Sequence, residues 1–248
     1  MDDRTDAIPA ARLQREWALC ALAAAASRFV PVPLVDDVIA ERAVRTAVVR
    51  TWRAHGRPDA PEAIDVLVAD TRGFWGGLAA SAARLPLTLA LYPIRKPVRM
   101  VRAVRGVGRD LAEVLLLARW LDRCLRAGWF ATTDRAELQR QAHLVRRAHE
   151  QTVTTADLRV LEHALRSGLR QVGGLRQQAT AFARRSFGRD APDPLASTTG
   201  PDAPVEPGVE AGAREVAAAL ARPDVEGALA GLDRRFDAAL GALAPAVP

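Results

Sequence analysis

Three carboxylates fall close together at Asp36, Asp37 and Glu41, within the stretch RFVPVPLVDDVIAERAVR. Acids clustered on one helix can hold a divalent cation and, through it, a phosphorylated substrate. The pattern stops short of that chemistry. Ala40 stands where a further aspartate would complete the set, and no second acidic cluster is present to oppose it. The same acids have a simpler use. Pro33 suits the first turn of a helix, and Asp36 and Asp37 then lie where negative charge meets the positive end of the helix dipole. Glu41 precedes Arg45 by four positions, the spacing of a helical ion pair.

His55, His143, His149 and His163 include no pair at i,i+3 or i,i+4, so zinc and di-iron chemistry find no ligand set. No serine sits in a nucleophile-elbow context. Cys20 and Cys124 lie among leucines and alanines and read as two buried thiols of a reducing compartment. GVGRDL at 106–111 holds glycines but follows no strand, so it reads as a helix break rather than a phosphate cradle. No catalytic residue, metal or cofactor is expected.

The elements that would carry any site are helices. Hydrophobic residues make up 49% and aromatic residues 5% of the 248 positions, and the alanine, leucine and arginine excess favours helix. Lys96 is the one lysine, an arginine bias that suits a GC-rich bacterial genome. Helices are expected over about 10–27, from about Pro33 to His55, and over 61–70, with prolines and glycines as punctuation. A helix or helix pair is expected up to about Leu125, broken near Gly106–Gly108. Val104, Val107, Leu111, Val114, Leu115, Ala118, Leu121 and Leu125 share one of its faces, with Arg102, Arg105, Arg109, Arg123 and Arg126 opposite. Asp134 and Glu137 mark a start running to about His149. A further helix from near Thr155 carries a seam from Leu158 to Phe182, weakened at Gly173 and Gly174.

The expected architecture is an all-α multi-helix bundle with a linker-tethered C-terminal helical pair. A helical core domain spans 10–187, a Pro-rich flexible linker 188–208, and an amphipathic pair 209–244. The linker holds five prolines and almost no large apolar side chain, a composition that cannot bury a core of its own. In the last helix Val225, Leu229, Leu232, Phe236, Leu240 and Leu243 form one apolar stripe, which should pack against the core rather than face water.

The feature with most functional content is a juxtaposition. Residues 74–92, FWGGLAASAARLPLTLALY, are the most apolar of the chain, broken by Arg84 and Pro86. They are followed directly by Arg95, Lys96, Arg99, Arg102, Arg105 and Arg109, with no acid until Asp110. An apolar wedge beside a polybasic patch suits an anionic membrane surface, each basic group adding about 1 kcal/mol. The net charge of +6 agrees in sign. Nucleic acid is disfavoured, because aromatics are not interleaved and no DNA-binding module is recognisable. The N-terminus is acidic and polar with no secretory leader, and no window holds the roughly 18 uncharged apolar residues of a spanning helix. The expectation is therefore a non-catalytic cytoplasmic chain, peripheral at the inner membrane, whose partner is an anionic membrane surface or a protein. The alternatives are a soluble helical interaction module, and a metal-dependent enzyme built on Asp36 and Asp37.

Residues 26–56, spanning ASRFVPVPLVDDVIAERAVRTAVVRTWRAHG, resemble the YcjF-like bacterial proteins of unknown function. The shared pattern is an apolar stretch, a proline-flanked turn, an aspartate and an amphipathic helix closing on glycine. The resemblance implies an inner-membrane-associated helical domain and transfers no site residue. The apolar segments here are shorter and are interrupted by Arg84 and Pro86.

Overall fold

Proline and glycine divide this helix-favouring chain into segments, and most of the divisions fall where the sequence places them. The computed structural model describes residues 10–30, 35–69, 92–188, 190–196 and 205–244, with the side chains of the longest helix from Gly106 onward. These residues form α1 (Ala10–Ser27), α2 (Val35–Ala54), α3 (Pro61–Ala69), α4 (Tyr92–Arg126), α5 (Arg135–Thr155), α6 (Arg159–Leu169), α7 (Leu175–Phe187), α8 (Pro207–Leu220) and α9 (Pro223–Leu243). No strand occurs among the described residues. The protein is an all-α multi-helix bundle. Pro61, Pro207 and Pro223 each stand at a helix start, where a missing N–H costs nothing. Gly56, at φ 63°, follows the end of α2. The side chain of Asp134 accepts the Ala136 N–H at 3.1 Å to cap α5.

Two helices are buried on every side and form the axis of the molecule. In α1, every residue from Glu16 to Ser27 is buried, and the alanine run there lets neighbouring helices approach closely. In α4, every residue from Asp110 to Ala118 is buried, and Trp120, Leu121 and Asp122 continue the buried stretch. Around α1 pack α2, α7 and α8; around α4 pack α2, α5 and α6. Helix α3 lies on α2 and α5, while α9 covers α5 and α6.

Helix α4 corrects the expected break. It runs unbroken through Gly106 and Gly108 for 35 residues. The glycines are there for proximity. A Cβ on Gly108 would lie 2.9 Å from the Glu162 carbonyl oxygen of α6, and one on Gly106 would lie 2.9 Å from the Arg28 guanidinium. Two other boundaries also differ. Helix α5 continues past His149 to Thr155, with Thr152 and His149 turned into the core. The seam from Leu158 to Phe182 is divided between α6 and α7, because Gly174 adopts φ 69° and redirects the chain. Arg45 donates to Asp65 of α3 at 2.7 Å, so its acid lies across the α2–α3 turn.

The C-terminal pair docks on the core. Helix α8 packs on α1, α6 and α7. Arg15 donates two hydrogen bonds to Glu210, at 2.7 and 2.5 Å, and the Gly208 N–H donates to Gln178 Oε1 at 2.8 Å. On α9, Val225, Leu229, Leu232, Phe236 and Leu240 are all buried, and Phe236 stacks on Trp120 with ring centres 4.7 Å apart. The preceding segment is held along α2 over its described part. Arg42 donates to the Gly188 carbonyl and, at 3.0 Å, to that of Ala191, and Arg53 donates to that of Leu195 at 2.7 Å.

Glycine substitutions separate proximity from propensity. Gly108→Ala should destabilise the protein by about 1–3 kcal/mol in urea unfolding, because a backbone carbonyl must retreat and the gain in helix propensity is only ~1 kcal/mol. Gly227→Ala on α9, where nothing lies within 4 Å of the new methyl, should stabilise by about 0.5–1 kcal/mol. Equal effects at the two positions would remove the close-approach account of α4.

Candidate functional site

An axial helix buried on all sides that carries acids must find partners for them. Asp110, at 1% exposure, takes two nitrogens of Arg28, one of them at 2.7 Å. Burial still lifts its carboxyl to about 6, against the pull of Arg28. One turn on, Glu113 accepts from Arg109 Nε at 2.8 Å and lies near Arg146, yet burial pushes it up to about 7. Asp122 meets His55 Nε2 at 2.9 Å and Arg126 at 2.5 Å. His149 of α5 sits edge-on to Trp120. Burial, with Arg146 adding to it, lowers its pKa to about 3, which keeps the ring neutral. Its Nε2 lies 3.4 Å from the Glu113 carbonyl oxygen, and its Nδ1 makes no hydrogen bond. Such groups could in principle exchange protons with a substrate. Neither of the two cavities described below is lined by them, and each acid has a cation in contact.

The first cavity, of about 870 Å³, is an open groove between the end of α1, α4, and the α6–α7 turn with α7 itself. Its floor is apolar: Leu22, Ala25 and Ala26 from α1, Phe29 just beyond it, Val107 from α4, and Leu169, Val172, Leu175 and Ala179 from the other side. Its polar lining holds Arg166, Arg170, Arg176 and Arg184 with the uncharged Gln177 and Thr180, and no carboxylate among the described residues. Arg176 lies over the Phe29 ring at 4.7 Å, and Arg166 pairs with Glu162 at 3.3 Å. Arg170 and Arg184 are exposed and make no ion pair among the described residues. A smaller cavity of about 400 Å³ lies between Trp17, Leu116, Leu220 and Leu229, where the C-terminal pair meets the core.

The sequence candidates fare unevenly. Arg95, Lys96, Arg99, Arg102 and Arg105 belong to the first turns of α4, whose backbone is helical there, but their side chains lie outside the description. Residues 74–91 and Pro33 also lie outside the described residues. Arg109 is described, and it is engaged with Glu113. Asp36 and Asp37 occupy the first turn of α2. The Asp37 carboxyl is raised by burial and by Glu41. Among the described residues no group of three or more His, Cys, Asp or Glu could hold a metal ion. Cys20 and Cys124 are free and buried, each thiol pushed up to about 12 by burial, so neither is a nucleophile at neutral pH.

The groove went unread in the sequence because its walls come from three distant segments. One signal was present: α7, LRQQATAFARRSF, has three arginines and no acid.

Comparison of the chain with protein-family models, with curated proteins and with solved structures finds no match. Among the described residues no helix is long and apolar enough to cross a membrane.

The raised Glu113 carboxyl fixes a direction of pH dependence. The folded chain holds the Glu113 proton more tightly than the unfolded chain does. The contribution to stability is thus fully present below the ordinary value of 4.5 and is lost as pH rises through about 7. Between pH 5 and pH 8 the Glu113→Gln variant should lose less stability than the wild type, by about 1–3 kcal/mol in urea unfolding at the two pH values. Parallel losses would mean that ionising Glu113 costs nothing.

Proposed function

We propose that this chain is a non-catalytic helical protein of the cytoplasmic face of a bacterial inner membrane, bound there by an apolar segment and an adjacent basic helix. The observation that carries the reading is the groove beside α4. Its lining mixes apolar side chains with four arginines and, among the described residues, no acid, the surface chemistry suited to a phase that is apolar inside and anionic at its boundary. Val107, on the groove wall, belongs to the same unbroken helix as the basic run beginning at Arg95. The resemblance of residues 26–56 to YcjF-like proteins supports the same reading.

Neither the apolar nor the basic element anchors firmly alone, so binding should be reversible and salt-sensitive. The protein should co-sediment with vesicles containing anionic lipid at low salt, be released at high salt, and ignore neutral vesicles. Replacing Arg95, Arg99, Arg102 and Arg105 with glutamine should weaken binding at least tenfold, from about 1 kcal/mol per basic group. Arg109 is left in place because its partner Glu113 is buried. Failure of the wild type to bind anionic vesicles at low salt would overturn the proposal and leave a helical interaction module that works through protein partners.

A further inference from the structure

The groove between α1 and α7 has a shape and polarity that surface association does not require. Beyond the open face that it offers, the groove is a concavity of about 870 Å³, within the ~300–1,000 Å³ of sites for single small molecules. Its lining restricts the occupant. Among the described residues no carboxylate lines it to receive a cationic head. The Phe29 ring already carries Arg176, which leaves it poorly placed to stack on a base. Ala25, Ala26 and Ala179 line the groove together with Leu22, Leu169 and Leu175, an apolar surface against which an acyl chain can bury its methylenes. Arg170 and Arg184 add two exposed guanidinium groups with no carboxylate partner among the described residues, and a guanidinium fork matches a carboxylate with two parallel hydrogen bonds.

We infer that this groove is a binding site for one long-chain fatty acid, its acyl chain on the apolar lining from α1 and α7 and its carboxylate taken by an exposed guanidinium of the rim, Arg170 or Arg184. This goes beyond membrane association, since the site would take the monomeric acid from solution with no bilayer present.

The test is calorimetric titration of the full chain with laurate, myristate and palmitate, each below its aggregation concentration. One equivalent should bind. Each pair of added methylenes should tighten binding roughly tenfold, as expected for burial of the chain. Cetyl alcohol should bind at least tenfold more weakly than palmitate. Arg170→Gln with Arg184→Gln, both at exposed positions, should weaken palmitate at least tenfold and leave the alcohol unchanged. Thr180→Phe, which fills the groove wall, should weaken acid and alcohol alike, with an unaltered circular dichroism spectrum showing that the fold is kept. Affinity independent of chain length, uptake of many equivalents, indifference to the arginine pair, or no saturable binding would each overturn the inference. Palmitate binding by a protein that ignores vesicles would keep this inference and remove the membrane-surface reading. The opposite result would keep the surface and remove the groove.

Discussion

Charge buried along the axial helix α4 is the constraint that the arrangement of the other helices satisfies. Asp110, Glu113 and Asp122 are themselves buried, and leaving any of them ionised and alone would cost about 3–5 kcal/mol. Two of them take partners from packed elements: Arg28, just past α1, takes Asp110, and His55, just past α2, takes Asp122, which Arg126 of α4 itself also meets. Glu113 is paired by Arg109 on its own helix, with Arg146 of α5 nearby. The relation is reversed for α9, where Asp233 is the buried acid and α4 supplies Arg119 and the Trp120 N–H. Buried pairs of this kind add little net stability compared with a well-packed apolar core. Their effect is selective, because a helix displaced by one turn would strand a charge.

Local signals were strong enough to place most helix ends. Pro61, Pro223, Gly56 and Asp134 act on the backbone within a few residues of themselves, so their meaning survives whatever packs around them. The errors share a different origin. Gly106 and Gly108 read as a break because glycine weakens an isolated helix, whereas here they admit Arg28 and the Glu162 carbonyl. The arginines of α4 made it look amphipathic, and sequence periodicity does not show that Arg28, 82 positions away, meets Asp110 inside the core. The basic run was legible as composition. The groove was not, since Leu22, Val107 and Leu175 meet only after the chain has folded.

The arginine bias also acquires a structural meaning beyond genome composition. Arg28 on Asp110, Arg119 on Asp233, Arg15 on Glu210 and Arg53 on Asp59 each use two nitrogens on one carboxylate. A lysine ammonium is a point charge on a flexible stem and does not reproduce that fork. Replacing these arginines by lysine would preserve the net charge and lose the geometry.

Helix α1 is enclosed in part by α8, and Arg15 meets Glu210 across 195 positions of chain. Synthesis proceeds from the N-terminus at about 5–20 residues per second, so the nascent α1 precedes its final neighbour by roughly 10–40 s. Through that interval α2, α4 and α7 are made in turn, but the surface that will receive α8 stays bare. A ribosome-bound intermediate therefore presents its most alanine- and leucine-rich helix partly uncovered, and a holding chaperone would be competing with the chain's own last helices for the same surface.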